Sequence, residues 1–189
     1  MIAPPAADEP SVRIQKLGGE NDWRIWEGYL RASGILLQEC MKSEREADSL
    51  IFPALFNLRH AIEVALKYHI RYAGGMVPKK GEHDIRVLVE VFRRTADALD
   101  EEVSYVSDDS LEFLSELASL DPRSVAFLYS SNLDGTPVEI ESTTIGLRRL
   151  YFMVDILEIY FDHLAGYIAL SRDEKYLASL SGWVNPTGE

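Results

Sequence analysis

The chain has 189 residues, 47% of them hydrophobic, which suits one folded domain with a substantial core rather than a disordered segment. Nineteen Lys and Arg against 31 Asp and Glu give a net charge of −12, which argues against a nucleic-acid binder unless the few cations gather in one patch. The single cysteine, Cys40, excludes an intrachain disulfide and cysteine-rich zinc sites. No continuous apolar run reaches the length of a membrane span.

Residues 1–20 begin with a Pro-rich stretch that lacks the basic start and apolar run of a signal peptide, and read as a flexible lead. The expected location is cytoplasmic. Asn21 or Asp22 is the predicted cap of a first helix ending near Glu44, with Trp23, Trp26, Leu30, Ser33, Leu37 and Cys40 on one face. Cys40 on that stripe reads as a small buried residue.

A second helix is predicted from about Ser49 to Tyr72, with Pro53 in or near its first turn and Gly74-Gly75 after its end. Its apolar residues point in several directions, as in a helix central to a fold. A third helix opens near His83-Asp84 and carries Ile85, Leu88, Phe92, Ala96 and Val103. A short fourth covers about Asp109 to Leu120, capped by Ser107 or Asp108 and stopped by Asp121-Pro122.

Residues 123–141 alternate in part and contain the turn signal Asp134-Gly135, so a small β-hairpin or extended insertion is expected there. The last helix shows Leu147, Leu150, Val154, Leu157, Phe161, Leu164 and Ile168 without a miss, a stripe made for another long helix inside the bundle or across a dimer. Residues 172–189 are read as a tail. The fold class expected is all-α: an antiparallel bundle of about five helices, with residues 21–171 as its single domain.

Chemistry concentrates in LFNLRHAIEVALKYHI and the following GEHDIRVL. Arg59, Glu63 and Lys67 are four apart and stack as an ion-pair ladder flanking the apolar stripe. His60 lies one helical step round, and His83 and Asp84 open the next helix. Arg59, His60, Glu63, Lys67, His83 and Asp84 are therefore the candidate polar cluster. The pattern favours a helix-pairing ion network with a helix-capping Asp over a binding pocket. No metal and no cofactor are expected: no histidine has Glu three residues before it, and neither a phosphate loop nor a nucleophile elbow occurs.

LRHAIEVALK followed by HDIRVL resembles the bacterial HEPN-like helical proteins. That resemblance covers about residues 22–170 and extends to an aromatic segment, here Phe127-Leu128-Tyr129-Ser130, before the last helix. It implies a helical bundle that forms a homodimer, in a stress, toxin–antitoxin or phage-defence setting. Active HEPN ribonucleases carry Arg, four to six residues, then His. Here Arg59 and His60 are adjacent, about 100° apart on a helix, and Leu128 stands where an arginine is expected. The expectation is a non-catalytic, dimer-forming protein that binds a protein partner or small ligand. The alternative is a ribonuclease or nucleotide-handling enzyme using Arg59, His60 and His83. A third reading is a structural subunit of a larger complex.

Overall fold

The computed structural model describes residues 22–99, 108–121, 127, 134–137 and 144–181. Five helices follow in order: α1 (Asp22–Cys40), α2 (Glu44–Tyr72), α3 (Ile85–Leu99), α4 (Asp108–Leu120) and α5 (Leu147–Ser181). The all-α expectation holds. No strand occurs among the described residues. Most of the hairpin expected over 123–141 lies outside them, and the part that is described does not support it. Asp134 and Gly135 form a turn, with Gly135 at φ 83 and Asp134 Oδ1 accepting from the Thr136 amide at 3.0 Å, and Pro137 makes an isolated bridge. Val103, Asn21 and Ser107 also lie outside the described residues.

A three-residue connection turns α1 back along α2, and these two helices make the most extensive pairing in the fold. Their antiparallel run is marked by Ser33 donating to the Ala54 carbonyl at 2.9 Å and by the Tyr29 ring meeting His60. α5 lies across both, with Trp26 and His69 packed on Phe161. The apolar stripe predicted for α5 is buried from Leu150 to Ile168 against α1, α2 and α3. It serves the interior of one chain. Each such side chain stabilises the fold by about 1.5–3 kcal/mol relative to exposure.

Three boundaries differ from the sequence reading. α1 stops at Cys40, and α2 starts at Glu44 rather than Ser49, because Ser43 caps it: its side chain accepts from the Glu46 amide. Pro53 therefore sits inside α2, on an exposed side, where it deprives the Ser49 carbonyl of its helical donor. α5 continues through Arg172 to Ser181. Arg172 donates to the Tyr72 carbonyl at 3.0 Å and Lys175 to the Ala98 carbonyl at 2.8 Å, so the end of α5 caps the C-termini of α2 and α3.

The α2 C-terminus closes as predicted at the glycines. Gly74 takes φ 87, and the Gly75 amide donates to the Ile70 carbonyl at 2.8 Å. By length and composition α2 is apolar enough to cross a bilayer, but half of that stretch is buried among the other helices. It is the central helix of the bundle.

Candidate functional site

Four-residue spacing puts Arg59, Glu63 and Lys67 in one column on α2, and packing sinks the first two. Arg59 and Glu63 are each 4% exposed. Arg59 donates through Nη1 to Glu63 Oε2 at 3.2 Å and through Nη2 to the His83 backbone carbonyl at 2.6 Å. Its Nε faces Asp121 Oδ2 at 3.7 Å, beyond a hydrogen bond but within ion-pair range. One guanidinium thus ties α2 to the loop before α3 and to the end of α4.

The other Glu63 oxygen, Oε1, accepts from Lys67 Nζ at 2.9 Å and from His83 Nδ1 at 2.8 Å. Burial alone would raise the Glu63 carboxyl, but the hydrogen bonds and charges of Lys67 and His83 overcome it and hold the group below its usual range. Glu63 is the hub: one buried carboxylate receives three cationic or polar donors. The His83 side chain is itself exposed, with Nε2 turned outward to within 3.7 Å of Glu82.

Two of the six predicted residues stand apart. His60 packs edge-on to Tyr29, with ring centroids 4.5 Å apart, and stacks on Phe56 at 5.7 Å. Burial keeps its pKa below the usual histidine value, Glu63 opposing and Lys67, Arg59 and His83 adding to the shift. Asp84 caps α3, its Oδ1 accepting from the Arg86 amide at 2.9 Å. The cluster that the fold assembles is Arg59, Glu63, Lys67, His83 and Asp121.

Asp121 was legible only as a helix stop. One signal was present: it falls four residues after Leu117 and seven after Leu114, in line with the buried face of α4. An acid in register with an apolar stripe calls for a buried cation, and Arg59 supplies it.

The remaining histidines serve elsewhere. His69 is fully buried between α2 and α5, with Nδ1 at 2.7 Å from the Ala65 carbonyl and Nε2 at 3.1 Å from the Phe161 carbonyl. Burial pushes its pKa down to about 4, so near neutral pH it carries one N–H and donates to one of the two carbonyls. His163 is exposed on α5. Cys40 is buried, and burial raises its thiol pKa. Among the described residues no three His, Cys, Asp or Glu side chains gather as a metal site would require.

Chemically, Arg59 is committed. Its contacts all point inward, and it has no face left for a substrate phosphate. His83 is the one member whose side chain is largely exposed. In comparisons with family models, curated proteins and solved structures, nothing matches the chain.

Proposed function

We propose that the chain is a non-catalytic, dimer-forming, HEPN-like protein that acts by binding a protein partner or a small ligand in the bacterial cytoplasm. One observation carries the non-catalytic part. Arg59, the cation that the ribonuclease alternative would turn to its substrate, is buried and spent on Glu63, on Asp121 and on the His83 carbonyl. Phosphoryl-transfer chemistry needs a cation, an acid and a base converging on one point in space. Here the cation points inward, His60 is half-buried against two aromatic rings, and His83 alone of the three is largely exposed. The net charge of −12 supports the same reading.

Structured RNA incubated with the purified chain, with and without divalent metal, tests this: the RNA is expected to remain intact. The alternative, a ribonuclease or nucleotide-handling enzyme, is favoured by one feature. Glu63 holds His83 Nδ1 and leaves Nε2 outward, an arrangement that orients a general base. On that reading, cleavage would depend on His83.

A further inference from the structure

Helix α5 carries a second apolar stripe. Phe152, Ile159, Leu170 and Leu177 fall on one line at about 100° per residue, roughly opposite the buried stripe of Leu150, Val154, Leu157, Phe161, Leu164 and Ile168. Phe152 is 62% exposed, Ile159 57%, and Leu170 and Leu177 63% each. A helix in a monomeric bundle needs one apolar face, and its outer face is ordinarily polar. α5 has two.

From these positions we propose that the outer face of α5 pairs with the same face of a second copy, antiparallel, about a two-fold axis beside residue 161. This deepens the dimer-forming reading above and rests on it. Charge placement selects the occupant and the register. Arg148 and Arg149 lie at the start of α5, and Asp173 and Glu174 lie near its end, on matching flanks of the exposed stripe. In an antiparallel pair each flank meets the same flank of its mate. One register then sets Arg148 beside the partner's Asp173, and brings the partner's Glu174 to Arg149, which within its own chain lies 4.0 Å from Glu116.

The same register sets Phe152 against the partner's Leu170, and Ile159 against the partner's His163. Gly166, whose missing Cβ would meet nothing within 4 Å, leaves room near the axis. Asp162 approaches its own copy there, but it lies about 80° off the contact line and stays solvated. The paired span, residues 148–174, is about 40 Å long. On the flank between its ends Asp155 falls beside the partner's Gly166, and Glu158 lies about 120° off the contact line and stays solvated like Asp162; a flat anionic lipid surface would meet all three acids, which disfavours a membrane as occupant.

Sedimentation of the full chain at high micromolar concentration tests the proposal. Wild type is expected at twice the mass of one chain, and the variant Ile159→Glu with Leu170→Glu at the mass of one chain, with an unchanged CD spectrum. Arg148→Glu is expected to weaken the dimer about tenfold, since both symmetric pairs turn repulsive. Adding Asp173→Arg to the same chain is expected to restore it. A dimer indifferent to all these changes would overturn this interface and leave the dimer-forming reading standing. A monomeric wild type would overturn both. Loss of affinity without rescue would reject the register. Wild-type flotation with phosphatidylcholine–phosphatidylserine vesicles, abolished by Ile159→Glu, would assign the face to a membrane and overturn the proposal.

Discussion

Replacing Glu63 with Gln is the sharpest probe of the buried network. Gln keeps the shape but turns an acceptor-only carboxylate into a group that accepts at one atom and donates at the other. Lys67 is 14% exposed and His83 65% exposed, so both can turn to water. Arg59 cannot: its side chain is 5% exposed, and with a neutral amide oxygen in place of the carboxylate it keeps the His83 carbonyl as an acceptor and only Asp121, at 3.7 Å, as an anionic partner. Breaking a buried ion pair by removing one partner costs about 3–5 kcal/mol. Because Asp121 remains to compensate part of the guanidinium charge, the expected cost is about 3 kcal/mol. For a chain of this size that lowers Tm by about 6–12 °C. Urea unfolding followed by CD measures it, with Arg59→Met and the double variant completing a cycle. The double variant should cost less than the sum of the singles, since each single leaves the other charge stranded. A Glu63→Gln protein within about 0.5 kcal/mol of wild type would refute the buried network as an element of stability.

Two further outcomes follow from single positions. His69 is neutral in the fold with a pKa of about 4, while the unfolded chain takes up the proton near 6.5. Its contribution is therefore complete above pH 6.5 and is lost as pH falls toward 4; between pH 7 and 5 wild type should lose about 2 kcal/mol that His69→Gln does not. The sign would be wrong if urea midpoints of wild type rose over that range. Gly75→Ala places a Cβ 2.6 Å from Thr95 Cγ2 and Oγ1, so it should destabilise by about 1–3 kcal/mol and be relieved by Thr95→Ala, whereas Gly28→Ala, with nothing within 4 Å, should be neutral or stabilising. Equal Tm values for the two glycine variants would contradict the packing described at the end of α2.

Much of this molecule is local, and that part is readable in the sequence. The α5 stripe from Leu150 to Ile168, the glycine stop after Tyr72 and the Asp84 cap follow from period and cap chemistry alone. The start of α2 was hidden because Pro53 resembles a first-turn marker. The competing signal, Ser43 three residues before Glu46, is the one that the chain obeys. The ladder of Arg59, Glu63 and Lys67 was legible as a column, and His83 as its neighbour. Asp121 was not, because it arrives from a helix far along the chain, and only tertiary packing brings an acid to Arg59. His60 looked like a member through adjacency, yet one step of the helix turns it onto Tyr29 and Phe56. The outer stripe of α5 was present in the letters too, overshadowed by the stronger stripe on the opposite side.

The non-catalytic reading stands or falls on His83, the one cluster member whose side chain is largely exposed. Arg59 binds the His83 backbone carbonyl, so His83→Ala keeps that bond and removes only the imidazole held by Glu63. The decisive measurement is RNA cleavage by wild type and His83→Ala side by side, each with its CD spectrum and Tm. The account predicts no cleavage by either protein, and a loss of about 1 kcal/mol, or some 2–4 °C, in the variant. Cleavage by wild type that His83→Ala abolishes, with spectrum and Tm unchanged, would contradict it and make the chain a ribonuclease.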